Sequence, residues 1–313
     1  MSVQVVWLPA RGIAALVHFG RELPRARLLV AGIGLTLVVA LFSTFVLHDS
    51  LALLRAVANY ALLVAYAVVI FVTTDRPPEA PRPGLPRAEL ALWFLLAVWI
   101  AAQTLGVRFP WVEARLDDWI LDPIRAWTGL RPDRADAAGR AFWRILYVLF
   151  LPWIAFSLLG QRPRDLGLRP RKLALGLLLV GAGVGLHLLG RAALPQPEAP
   201  ASLRAAAAAF AFTLFTSALP LEFFYRGVLL PRLEARLPSS LDALAVAALL
   251  YTLGQVPARL LAGTPPTTLV LDVVSGLGAP AALAWGYLYL RTRSVWPGAI
   301  WHAAHITFDA VFW

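Results

Sequence analysis

The chain has 313 residues, no cysteine, a formal net charge of +10 and a mean hydropathy of +0.70, and 59% of its residues are hydrophobic. Soluble domains are nearer ~45–50% apolar, so the composition reads as a polytopic membrane protein. The lack of cysteine excludes disulfides, thiolate metal centres and a cysteine nucleophile. The basic excess is nearly all arginine and falls between apolar runs. That placement argues against nucleic acid as a partner and for contact with anionic lipids.

Residues 1–27 carry Arg11, Arg21, Arg25 and Arg27 around a weakly apolar stretch and read as an amphipathic lead-in, without the pattern of a cleaved signal peptide. Apolar spans are expected at about 28–47 and 56–73, separated by a turn at His48 and Asp49. A Pro-rich, charged connector (75–87) then marks a boundary. A third span covers about 88–107. The segment 108–140 mixes Trp111, Trp119 and Trp127 with Asp117, Asp118, Asp122 and arginines, the pattern of an amphipathic helix lying in the membrane interface. Further spans are expected at about 141–160, 173–189, 204–230, 241–256, 268–290 and 295–313, with a basic turn at 162–172.

The fold class is therefore all-α, a polytopic transmembrane helix bundle of about eight to nine spans plus the interfacial helix. Three units are expected: a tail and two-span hairpin (1–87), two spans flanking the interfacial segment (88–160), and a C-terminal helical core (161–313). Arginines concentrate in the N-terminal tail, the 76–87 connector, the 162–172 turn, and at Arg232, Arg236, Arg291 and Arg293. The positive-inside rule then puts the N-terminus in the cytoplasm and the C-terminus outside, in a bacterial inner membrane.

Polar groups inside the spans are the candidates for chemistry, because ionisable residues in lipid are costly. Glu222 and Arg226 lie four residues apart, which on a helix stacks them on one face as an ion pair. His302, His305 and Asp309 fall within roughly 60° of one another at about 100° per residue. That face suits a catalytic or ligand-binding site, a metal site shared with Glu222, or a hydrogen-bonded seam between helices. Tyr251 and Gln255 follow one another by a turn in the seventh span. Asp272 and His187 are isolated and read as structural or interfacial, and residues 1–107 carry no readable motif.

In this order the motifs resemble the CPBP family of intramembrane glutamic endopeptidases, which includes the type II CAAX prenyl proteases. Leu221-Glu222-Phe223-Phe224-Tyr225-Arg226-Gly227 looks like the family's Glu-Glu-x-x-x-Arg motif. Leu250–Pro257 occupies the place of Phe-x-x-x-His, and Trp285–Pro297 reads like the lead into the final His helix. The Asp165–Arg169 turn is also typical, so the resemblance covers about 162–309. It implies that a Glu and a His activate water for peptide hydrolysis, yet their positions here hold Leu221 and Gln255. Leu221 has no proton-transfer chemistry, and the Gln255 amide orients water without acting as a base. The family's supporting pair is retained as Glu222 and Arg226. In the last motif His302 keeps the spacing from Trp296 with Ile306 at the partner position, while a register shifted by three gives His305-x-x-x-Asp309.

The residues to which a catalytic role is assigned on this resemblance are Glu222, Arg226, Gln255, His302, His305 and Asp309, with no cofactor and no metal expected. Three functions follow. One is a divergent endopeptidase using Glu222 as base with His302 or His305 as helper. Another is a non-catalytic protein that binds a membrane-embedded peptide or protein, or a prenyl-like lipid, in the inherited cavity. The third is a metal-dependent membrane hydrolase.

Overall fold

A computed structural model describes residues 7–45, 52–74, 86–108, 145–192, 203–276 and 279–308. Among the described residues the protein is all-helical, as its hydropathy requires: in lipid a helix satisfies its own backbone groups, whereas an open strand does not. The helices are α1 (Trp7–Glu22), α2 (Arg27–Phe45), α3 (Ala52–Thr73), α4 (Pro86–Arg108), α5 (146–158), α6 (Leu173–Ala192), α7 (203–234), α8 (Ser240–Leu261), α9 (Pro266–Gly276), α10 (Pro280–Thr292) and α11 (Trp296–Phe308). Four helical segments are long and apolar enough to cross a membrane: Arg27–Phe45, Ala52–Thr73, Ser240–Leu261 and Pro266–Thr292. Shorter apolar helices cover Leu90–Ala101, Leu146–Leu158 and Leu173–Ala182. The expected interfacial helix (108–140), the His48–Asp49 turn and most of the 75–87 connector lie outside the described residues.

The span expected at 268–290 agrees with the apolar segment Pro266–Thr292; α9 and α10 are its described parts, and residues 277 and 278 between them lie outside the described residues. Pro280 sits in the first turn of α10, where its missing N–H costs nothing. One expectation is corrected: the seventh span does not stop at Val256, because α8 runs through Pro257 to Leu261.

Proline also shapes α5 and α7. Pro152, Pro220 and Pro231 each follow a π-helical turn, at Leu146–Phe150, Leu214–Ala218 and Phe223–Leu229. A proline ring crowds the carbonyl four residues back and donates no hydrogen bond. A turn widened by one residue relieves that crowding without breaking the rod. Two of these turns bracket Glu222.

The core gathers on the middle of α7, with Phe223, Phe224, Tyr225, Val228, Leu229 and Leu230 all fully buried. Close approaches there depend on glycine. A Cβ on Gly227 would overlap the carbonyl oxygen of Leu166, so the 160–172 turn packs directly on the α7 backbone. The same turn is pinned to the α10–α11 junction. The Val295 amide donates to Gly167 O at 3.0 Å, Trp296 Nε1–H to Leu168 O at 2.9 Å, and the Ser294 hydroxyl to Arg169 O at 2.9 Å.

The N-terminal helices are fastened to this core by polar side chains. Asp242 Oδ1, in the first turn of α8, accepts the Leu28 and Leu29 amides at 2.7 and 3.2 Å and so caps α2 from a distant helix. Arg291 of α10 donates to the Thr74 hydroxyl at 2.9 Å and the Thr74 carbonyl at 3.0 Å, with its guanidinium over the Phe71 ring at the end of α3. Tyr66 of α3 packs on Trp301 of α11, their ring centroids 4.7 Å apart.

Candidate functional site

Glu222 and Arg226 face each other inside the bundle as their spacing predicts, with Arg226 Nη1 3.3 Å from Glu222 Oε1 and each residue 1% exposed. Two such charges are tolerated at this depth only when paired and further hydrogen-bonded. Arg226 Nη2 donates to the Ala282 carbonyl of α10 at 3.2 Å, and its guanidinium lies 5.7 Å from the Tyr251 ring centre and 5.8 Å from that of Trp285. The second partner of Glu222 comes from α11: His302 Nδ1 stands 2.9 Å from Glu222 Oε1. A carboxylate paired with arginine only accepts hydrogen bonds, so Nδ1 carries the proton and His302 turns Nε2 to any other chemistry. The other carboxylate oxygen, Oε2, faces Gly298, where an added Cβ would come within 3.2 Å.

The imidazole is held from a second side. The Trp285 ring stacks on His302 with centroids 3.9 Å apart and planes 15° from parallel, and Trp285 also contacts His305 at 5.6 Å. Tyr251 stands edge-on to His302 at 6.4 Å and to Tyr225 at 5.1 Å. Orientation by a carboxylate and an aromatic plane fixes both the tautomer and the tilt of the ring.

His302 lines a cavity of about 430 Å³ together with Leu221, Tyr251, Gln255, Trp285 and His305. Ile306 and the small residues Ala279, Ala281 and Ala282 complete its apolar side. Sequence reasoning assigned Gln255, His302 and His305 to one site, and they do share this cavity. Glu222 lies behind His302 and does not line the wall. Leu221, in the position where the resemblance implies a working carboxylate, does line it. Asp309 lies outside the described residues. Among the described residues no three His, Asp or Glu side chains converge to hold a metal ion.

Sequence reasoning missed Trp285, which it quoted only as part of a motif, and Trp99, which no motif contains. Trp99 of α4 reaches the cavity, contacting Phe224 at 6.5 Å and Tyr225 at 5.7 Å. It closes onto α8 at Gly254, where a Cβ would overlap the indole. The N-terminal part of the chain thus contributes a wall of the site. Asp272, expected to lack a partner, pairs with Arg259 at 2.7 Å near the surface.

No curated protein and no solved structure matches the chain. Residues 203–308 match the family model described as Rce1-like, type II CAAX prenyl endopeptidase Rce1-like. That segment contains every described residue of the Glu222–Arg226–His302 group, together with Gln255 and His305, while Trp99 and the 162–172 turn precede it. Over residues 203–308 the chain is therefore similar to the Rce1-like type II CAAX prenyl endopeptidases, and the resemblance to the CPBP and CAAX protease-like family carried by its motifs holds for that segment.

Proposed function

We propose that this CAAX protease-like membrane protein takes up an apolar stretch of a membrane-embedded peptide or protein in the cavity between α7, α8, α10 and α11, and holds it without the family's water-activating chemistry. The supporting observation is the composition of the wall. Leu221 and Gln255 line the cavity at the two water-activating positions, while Glu222 is turned away into Arg226 and His302. A general base must reach its water within about 3 Å, directly or through one bridging water, and neither a leucine nor an amide supplies one. The alanines and Ile306 along the wall suit an apolar side chain of the ligand.

A second reading rests on the 2.9 Å contact between Glu222 and His302. A carboxylate on Nδ1 makes Nε2 a better base, so the pair could drive slow hydrolysis through His302. The two readings separate in one experiment. A photoreactive phenylalanine analogue at Ile306 is cross-linked in native membranes, and the captured chains are sized by mass spectrometry. Intact adducts, unchanged in Glu222→Gln, are expected. Cleaved products that vanish in both Glu222→Gln and His302→Ala overturn binding without hydrolysis.

The reading extends to eight to nine spans with the 108–140 segment lying in the interface, and to a bacterial inner membrane with the N-terminus cytoplasmic and the C-terminus external. The absence of native cysteine makes this directly measurable. Single cysteines at Ser2 and Trp313 should label from opposite sides of the membrane. Labelling of both from the same side refutes the topology.

A further inference from the structure

The wall of the site cavity carries several polar side chains, and most of them are engaged within the protein. His302 is bound to Glu222 and stacked on Trp285, and the Thr252 hydroxyl donates to the Ala248 carbonyl at 3.2 Å. Gln255 is different. It lines the cavity from α8, half-buried, and its carboxamide forms no hydrogen bond with any described residue. A glutamine inside a membrane bundle ordinarily bonds across to a neighbouring helix. This one lies within the apolar segment Ser240–Leu261 and borders the space that a ligand would fill.

A carboxamide offers both donors and acceptor sites. Water in the empty cavity can serve them, and a ligand that displaces such water without replacing its bonds loses affinity. An unbroken ligand helix has nothing to give in return, because its N–H and C=O groups are spent on one another. An extended residue does. Its own N–H and C=O point to the same side, as they do toward a partner strand, and one planar carboxamide can meet both. Another part of the wall leaves room for main chain, since Ala279, Ala281 and Ala282 carry only methyl groups and small side chains let backbones approach closely.

We infer that Gln255 is a ligand-binding residue whose carboxamide pairs with the N–H and C=O of one extended residue, so that the cavity selects membrane segments whose helix is interrupted. The inference rests on the reading that this cavity takes up a membrane-embedded peptide. It holds whether or not that peptide is then cleaved.

The test measures binding of fluorescent synthetic peptides to full-length protein in mixed micelles. One peptide is an unbroken Leu/Ala membrane helix, and a second carries a central Gly-Pro, whose glycine is held extended by the proline. A third is the unbroken helix with a central Asn, which offers a side-chain amide instead. A fourth repeats the Gly-Pro peptide with an ester in place of the glycine N–H. The wild type should prefer the Gly-Pro peptide to the unbroken helix by roughly 25-fold, at about fivefold per hydrogen bond, and the ester should cost it about fivefold. Gln255→Leu should bind the Gly-Pro, ester and unbroken peptides alike. It should also unfold at the same concentration of denaturing detergent as the wild type, because the amide it removes bonds to no described residue. Earlier unfolding of Gln255→Leu would make the residue structural and overturn the inference. Equal binding of Gly-Pro and unbroken peptides by the wild type, a preference that survives Gln255→Leu, or an Asn helix bound as tightly as the Gly-Pro peptide also overturns it, while leaving the cavity a peptide site. Binding of none of the four overturns the reading beneath it, and the inference with it.

Discussion

Replacing Glu222 by Gln removes one negative charge and leaves the shape of the side chain almost unchanged. In the wild type, that carboxylate receives both the Arg226 guanidinium at 3.3 Å and His302 Nδ1 at 2.9 Å, and all three residues are 2% exposed or less. After the substitution Arg226 keeps the Ala282 carbonyl but is left as an unneutralised charge inside the bundle. Breaking a buried pair from one side costs ~3–5 kcal/mol. The Gln oxygen can still accept from Nδ1–H, so a loss near the lower end, about 3 kcal/mol, is expected. Arg226→Met should cost a similar amount, because it strands the carboxylate. The double variant removes both charges together and should fall short of the sum by about 2 kcal/mol or more, since contacting residues are strongly non-additive. Reversible unfolding of the purified protein in mixed micelles by rising denaturing detergent measures all four corners of the cycle. Additivity within about 0.5 kcal/mol would refute the claim that the pair is a single buried unit.

Three further outcomes are expected. The double substitution Leu221→Glu/Gln255→His rebuilds a carboxylate and an imidazole on one cavity wall and should raise cleavage of a membrane-spanning reporter peptide by ~10²–10⁴ over the wild-type background. No gain in the double variant would mean that the cavity no longer aligns a peptide. Gly227→Ala forces a methyl group against the Leu166 carbonyl and should destabilise the protein by ~1–3 kcal/mol in the same unfolding assay. A neutral result would show that the 160–172 turn does not pack on α7. Asp242→Ala should lose about 1–2 kcal/mol with the cap on α2, whereas Asp242→Asn, which still presents an acceptor, should lose only a few tenths. Equal losses would mean that the charge matters and not the hydrogen bonds.

Local periodicity made the helices legible. Those from α2 to α4 and from α6 to α8 start within a few residues of their expected positions, because long apolar runs ending in charge or proline leave little freedom. The apolar run gave the extent of Pro266–Thr292, whereas the end of the seventh span was placed too early because Pro257 reads as a stop and yet sits inside α8. At the site, the Glu222–Arg226 pair followed from spacing alone. The meeting of Glu222 with His302, 80 positions apart, followed only from the order of motifs and not from any local pattern. Trp99 and Trp285 were invisible as site residues because tryptophan is an unremarkable occupant of any apolar helix. The same holds for Asp242, which by sequence is an acidic residue in the first turn of its own helix and in space is the cap of another.

That cap has a consequence for how the protein is made. Leu28 and the carboxylate that binds its amide are 214 positions apart. At ~5–20 residues per second of synthesis, the start of α2 therefore waits about 10–40 s after it leaves the ribosome before its acceptor exists. During that interval its amides need water or another acceptor, which holds the start of α2 at the wet surface of the bilayer until α8 is made. The arrival of α8 then ties the beginning of the chain to the core, and α9, α10 and α11, made later still, complete the bundle.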